Sequence, residues 1–381
     1  MKNESWLKAA ILSVSLFIMS HLAIAPAIPK LHALYQAQNA NVSLASVETL
    51  VTIPAMMIML SVILSNVIVT KLGKKKTVEV GLGLIFISGI ISFLASNFML
   101  AMIGRLILGI GIGLYNPLSI SMISDYFEGA KRAGMIGLRT ATMNVGKTLT
   151  TLIVGYALLV GPRYIFLVYV LVVPVLYLFH RFVKEIPVEE KRLSKVVIFD
   201  QGVFLWMLII FFIGIAYIGA TVKIPTLLVT HYGYDELAAG HLLTLLAFSG
   251  IIIGLCFGYL SKKMAELDTC CHAGYDGGGD LLFVFGNQVI FFYLGAVLIG
   301  ASFVGGMSAI FDAIAKQYPN GQLTFVTSMA ITAGNIGVIL TPLILTKLVG
   351  ALSLEPYVTP FYITTGLILT SLMLYAFLKK K

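Results

Sequence analysis

Ionisable side chains inside long apolar runs are the residues of this chain that could do chemistry, because hydrocarbon charges heavily for them and they mark solute or proton paths. Arg105 and Lys147 are the deepest. Each offers a cation to an anionic group, and Arg105 could equally serve as a hydrogen-bond hub for neighbouring carbonyls. His21 titrates near neutral pH and could carry a proton. Glu48 and Asp312 are acids near membrane depth. Glu48 is expected to be solvated at the start of the second apolar run, and Asp312 to bind a proton or pair with a basic neighbour. Lys223, near the end of the seventh run, is expected to snorkel along its helix. Tyr115 and Asn116, followed by Pro117, form a polar, bent stretch suited to lining a cavity. No Gly-x-x-x-x-Gly-Lys-Ser/Thr loop is present to cradle a nucleotide. Cys270, Cys271 and His272 are adjacent rather than spaced as zinc ligands, so no metal is expected. A membrane-embedded enzyme would need clustered acids or histidines, and a receptor would add an output domain; the chain is expected to be neither.

The elements that must position these residues are helices. Hydrophobic residues make up 59% and charged residues 11%, against roughly 45–50% and 25% in soluble domains. The excess falls in eleven runs near twenty residues, the length a helix needs to cross hydrocarbon. Their apolar character is continuous rather than alternating, which excludes a barrel. Lys and Arg gather in alternate gaps: Lys2 and Lys8, then Lys71 and Lys74 to Lys76, then Lys131 and Arg132, then Arg181 to Lys195, then Lys262 and Lys263, then Lys316 and the terminal lysines. Basic residues stay on the cytoplasmic side, so this rhythm predicts alternating crossings with both ends inside. The net charge of +9 is then explained by loops facing anionic lipid rather than by nucleic acid.

The chain also repeats itself. Asn97 to Gly113 echoes Asn287 to Gly305, Asn144-Val145-Gly146 echoes Asn335-Ile336-Gly337, Ile28-Pro29 echoes Ile224-Pro225, and Asn66 to Lys74 echoes Gly258 to Glu266. Four matches in one order predict a duplication: an amino-terminal half over 1–183, a charged cytoplasmic linker over 184–201, and a second half over 202–381. Twelve membrane helices are therefore expected, six in each half.

Two six-helix halves joined by such a linker resemble the major facilitator superfamily. Its Gly-x-x-x-Asp-Arg-x-Gly-Arg loop is matched by Asn66, Thr70, Lys71, Gly73 and Lys74, with Thr in place of the Asp. Arg105-x-x-x-Gly109-x-Gly111-x-Gly113 is similar to the family's intramembrane arginine and glycines, and Asp125-Tyr126-Phe127 with Arg132 to its following loop. Span five keeps Gly146 but lacks the proline of the drug/proton antiporters' Gly-Pro-x-x-Gly-Gly. Ala25-Pro26-Ala27-Ile28-Pro29 resembles bacterial drug and metabolite exporters.

The resemblance implies a proton-coupled secondary transporter of the bacterial inner membrane, rocking two halves about a mid-membrane site. No cofactor is expected beyond the proton gradient, and no partner beyond lipid and a small solute; a monomer suffices. The positive deep charges favour an anionic solute or an amphiphile. Efflux is the first expectation, and uptake of a small organic anion the alternative. Arg105, Lys147, Tyr115 and Asn116 are the expected solute ligands. His21, Asp312 and Glu48 are the expected proton carriers, and Lys71, Gly73, Lys74, Asp125 and Arg132 the expected gate.

One stretch breaks the pattern. Where the repeat demands a ninth span, 264–280 is polar and glycine-rich, with Asp268, His272, Asp276 and Asp280. Each acid would cost about 3 kcal/mol at the bilayer centre. Read one nucleotide on, the codons of His272 to Asp280 give AYG triplets (Met or Thr) and GNG triplets (Val, Ala, Gly or Glu), for example Met-Leu-Gly-Met-Met-Val-Val-Ala. The sequence therefore predicts a disrupted span carrying two compensating reading-frame slips.

Overall fold

In the computed structural model, residues 2–127, 129–185, 200–263, 268–285, 289–318 and 320–379 are described. They are helices joined by short turns, with no strand among the described residues. The chain divides into two compact units, Met1–Glu190 and Lys191–Lys381. Among the described residues, eleven helical stretches, from Glu4–Gln38 to Thr359–Leu378, are long and apolar enough to cross a membrane.

The first unit begins with α1 (Lys2–Ser13), three 3₁₀ turns between Val14 and Ala27, and α2 (Ile28–Gln38), all in one crossing. It continues through α3 (Leu44–Leu72), α4 (Lys74–Leu94), α5 (Phe98–Tyr126) and α6 (Gly129–Val160). A 3₁₀ segment, Tyr164–Leu171, then runs into α7 (Val172–Phe182). Short polar caps start the long helices. Ser43 Oγ accepts from the Ser46 amide and Asn97 Oδ1 from the Leu100 amide, filling donors that a helix leaves open. The glycines of α5 set its packing. Gly109 and Gly113 lie against α3, where an added Cβ would sit 2.5 Å from the Pro54 carbonyl and 2.7 Å from that of Ile58. Gly111 faces α4, its Cβ position 2.7 Å from the Gly81 carbonyl. Small residues at this spacing let helices touch through their backbones, which matters where lipid supplies no hydrophobic drive between them.

The second unit holds α8 (Gln201–Thr226), α9 (Glu236–Lys263), α10 (Asp268–Phe285), α11 (Val289–Gln317), α12 (Asn320–Pro342), the short α13 (Val349–Ala351) and α14 (Thr359–Lys379). Wide π turns follow α8 at Leu227–His231 and α12 at Leu343–Leu348. Pro225 and Pro342 stand at those two places, and a proline removes the helical hydrogen bond that would hold a regular turn. At the opposite end of α8, Trp206 Nε1 donates to Gln317 Oε1 at 2.9 Å, and Tyr318 donates to Asp200 Oδ1 at 3.0 Å. Burial, then the adjacent Asp200 carboxylate, raises the Tyr318 phenol above its ordinary range and keeps it a donor.

The stretch read from sequence as a disrupted span is continuous helix over Asp268–Phe285. The α10 helix packs on α11 and α14. A glycine in a helix interior costs only about 1 kcal/mol, and Gly279 meets α11 at Gly295, whose carbonyl would stand 3.0 Å from an added Cβ. Asp280 is buried, with Thr364 Oγ1 at 2.6 Å from its Oδ2. Phe283 stacks on both Phe292 and Phe361. The polar cost that argued against this helix is offset in part at Asp280 by a hydroxyl on α14. The side chains ahead of Gly277 in α10 lie outside the described residues.

Candidate functional site

The first crossing is not a regular helix, and that irregularity organises the site. Pro26 and Pro29 supply no amide hydrogens, and the backbone between α1 and α2 winds in 3₁₀ turns. Irregular backbone at membrane depth survives only where neighbouring groups satisfy its carbonyls. Here α5 and the 3₁₀ segment before α7 do so. Arg105 is fully buried; its Nη2 donates to the His21 carbonyl, its Nε to the Leu50 carbonyl at 2.6 Å, and its Nη1 to the Tyr169 hydroxyl at 2.5 Å. Tyr169 in turn donates to the Ser20 carbonyl at 3.0 Å. The guanidinium thus ties α5 to the first crossing, to α3 and to the Tyr164–Leu171 segment. Its donors serve protein acceptors, the hub role open to it from sequence, and the arginine fork suits three acceptors in different directions.

Next to this hub, α6 presses on the first crossing so closely that a Cβ on Gly146 would sit 1.9 Å from the Leu16 carbonyl. That contact brings Lys147, only 3% exposed, to the same region. The His21 ring lies within electrostatic reach of both Lys147 and Arg105. Three of the expected ligands and proton carriers therefore share one neighbourhood inside the first unit. Glu48 departs from expectation: it is buried, not solvated. Its turn of α3 carries Val47, Leu50 and Val51, all buried, and α3 packs on α2 and on the 3₁₀ turns of the first crossing. Nearness to a helix start says nothing about cover by a neighbouring helix.

Tyr115 and Asn116 lie farther along α5, together with a residue the sequence reading passed over. Arg139 on α6 is 6% exposed. Its Nε donates to Ser119 Oγ at 2.6 Å, and its Nη2 to Asn116 Oδ1 at 2.7 Å and to the Asn116 carbonyl at 3.4 Å. Asn116 is thus held by Arg139 rather than left open to a cavity. Tyr115 is buried and packs on Gly81 of α4. Arg139 escaped notice because Lys131 and Arg132 precede it, so it reads as one more loop cation. A usable signal was its position eight residues before Lys147, a spacing within one stripe of a helix.

Of the residues expected at the gate, Lys74 and Asp125 are brought together. Lys74 Nζ lies 2.5 Å from Asp125 Oδ2, joining the start of α4 to the end of α5. Gly73 has φ +83°, a backbone angle that favours glycine, and the Glu185 carboxylate sits beside it, accepting from the Lys75 amide at 3.1 Å. Tyr126 exchanges hydrogen bonds with the Lys184 backbone, and burial raises its phenol above the ordinary range. Lys71 is exposed, away from these contacts. The side chains of Arg132 and Asp312 lie outside the described residues. In the second unit Lys223 is buried and donates to Thr346 Oγ1 at 2.6 Å, so it does not snorkel outward. No group of three or more His, Cys, Asp or Glu that could hold a metal occurs among the described residues.

The family model described as Major Facilitator Superfamily matches residues 10–269. The chain belongs to the Major Facilitator Superfamily. Solved structures of this fold match along the whole length. The nucleoside transporter NupG is 12% identical with a TM-score of 0.78, covering 98% of this chain and 99% of that one. The xylose transporter XylE from E. coli is 16% identical with a TM-score of 0.76, covering 98% and 95%. A bacterial homolog of the human lysosomal transporter Spinster, inward-facing and unoccupied, is 15% identical with a TM-score of 0.72, covering 98% and 96%. At these identities the likeness is one of fold. As a member of this superfamily the chain is a multi-pass membrane transporter, all-α in architecture.

Proposed function

We propose that this transporter moves an anionic or amphiphilic small solute by alternating access, outward and coupled to protons, in a bacterial inner membrane with both termini cytoplasmic. The observation that carries the reading is Lys147. It is a buried lysine at membrane depth, on the helix that presses against the broken first crossing, with the His21 ring in electrostatic reach. Ionisable residues at that depth mark solute and ion paths, and a lysine amine there suits an anionic solute. His21 and Glu48 stand in the same half as groups able to exchange a proton as the solute binds and leaves. Arg105 shapes the site by holding the first crossing in its 3₁₀ form, while Lys74 and Asp125 form a latch between α4 and α5.

Proteoliposomes holding the full chain test this with radiolabelled benzoate and an imposed pH gradient. Benzoate movement should follow the gradient, exchange against protons, and fall at least tenfold in Lys147→Gln. Movement that ignores the gradient removes proton coupling, and movement with protons rather than against them reverses the direction to uptake. Flux untouched by Lys147→Gln would remove the lysine from the solute path.

A further inference from the structure

We propose that Arg139 and Tyr115 form an oxyanion subsite in the first unit, which takes the acidic head of the solute. The inference rests on the transport reading above and adds a residue to it. Arg139 is held in a fixed pose by neutral groups alone: Ser119 Oγ on Nε, and the Asn116 side chain and carbonyl on Nη2. Among the described residues no acid pairs with it, and Nη1 makes no hydrogen bond. Tyr115, the chain neighbour of Asn116, has a fully buried hydroxyl with no hydrogen-bond partner.

Buried polar groups normally find partners, and a buried charge is normally paired. The Tyr115 phenol is a buried orphan, and with the Nη1 edge of Arg139 left without a protein acceptor the pair suits a compact anion able to accept from both. Carboxylate, sulfonate and phosphate groups fit, since the arginine fork matches their planar or tetrahedral oxygens. The location suits a collecting point. Asn116 lies about 27 Å along α5 from Phe98, toward the end that carries Asp125 and its Lys74 partner. Lys147 stands about 12 Å farther along α6 than Arg139, so an acid released from Arg139 would next meet a second buried cation.

The full chain in phosphatidylcholine nanodiscs tests the subsite by equilibrium dialysis with four probes of one shape. These are 1-naphthoate, 1-naphthalenesulfonate, 1-naphthalenemethanol and 1-naphthylmethylammonium. The two anions should bind at least tenfold more tightly than the alcohol or the ammonium. Arg139→Gln should abolish that preference and leave alcohol binding unchanged. Arg139→Lys, which keeps the charge and loses the fork, should retain part of it, and Tyr115→Phe should cost the anions several-fold. If Arg139→Gln does not fold, the Lys and Phe variants carry the test. Equal binding of all four probes by the wild type, or an undiminished anion preference in both arginine variants, overturns the subsite. Adding phosphatidylglycerol separates two sources of the same chemistry. Unchanged naphthoate binding supports a solute, whereas displacement that needs Arg139 would give the site to a lipid headgroup and overturn the solute assignment. Transport is read separately: naphthoate flux with its charge preference intact in Arg139→Gln sinks the subsite alone. Arg139-dependent binding without flux of any probe sinks the transport reading and leaves the subsite standing.

Discussion

Replacing Arg105 by Lys should destabilise the first unit before it alters solute recognition. The guanidinium donates to the His21 carbonyl, the Leu50 carbonyl and the Tyr169 hydroxyl from three nitrogens. A lysine keeps the charge but, as a single nitrogen on a flexible stem, can reach about one of those acceptors. Interhelical hydrogen bonds inside membranes are worth about 1 kcal/mol each, and those to charged groups somewhat more. Losing two gives a cost of about 2–3 kcal/mol. For a unit of this size that lowers the unfolding midpoint by about 4–12 °C. The carbonyls of Ser20 and His21 would be the ones released, since Tyr169 depends on Arg105 for its pose and serves Ser20. The assay is thermal unfolding of the purified chain in detergent, beside benzoate flux in proteoliposomes at a temperature where both proteins are folded. Flux per folded molecule should keep its KM. A midpoint within about 1 °C of wild type together with abolished benzoate affinity would refute the reasoning, because Arg105 would then be acting on solute rather than on the backbone of the first crossing.

Gly146→Val should sharply reduce folded protein, since even the first added carbon would overlap the Leu16 carbonyl; overpacking of this kind costs about 1–3 kcal/mol or more, and expression with gel filtration reads it. Asp125→Asn should cost less than about 1 kcal/mol, because both partners of the Lys74 pair keep some solvent contact, yet it should change the benzoate exchange rate; an unchanged rate removes the latch. Lys223→Met should lower the unfolding midpoint by about 2–4 °C, because it removes the donor to Thr346 Oγ1; an unchanged midpoint would remove that bond as a structural tie. Resequencing the gene should return two single-nucleotide slips flanking the codons for His272 to Asp280. An unbroken frame ends the slip reading, and Asp280→Ala should then shift stability through the Thr364 hydrogen bond that joins α10 to α14.

The broad architecture was legible because lipid imposes strong, local rules. Continuous apolar runs, basic residues in alternate gaps and Arg105 followed by Gly109, Gly111 and Gly113 each have a physical cause that acts within one segment, so one sequence suffices to read them. The glycines could be expected to sit at helix contacts, but which helix each meets could not: Gly109 and Gly113 take α3, and Gly111 takes α4. Glu48 and Lys223 show the same boundary. Their types and positions are plain in the sequence, but burial is a property of what packs over them, and both are covered by neighbours rather than turned to water or headgroups.

Arg139 marks the limit most clearly. By itself the sequence determined a multi-pass chain with rare deep cations, since the cost of charge in hydrocarbon can be read one residue at a time. Only the tertiary structure decided which cation donates from all three nitrogens to protein acceptors, as Arg105 does, and which keeps an edge open, as Arg139 does. That division depends on acceptors supplied by other helices, and no spacing within one segment encodes where those acceptors stand.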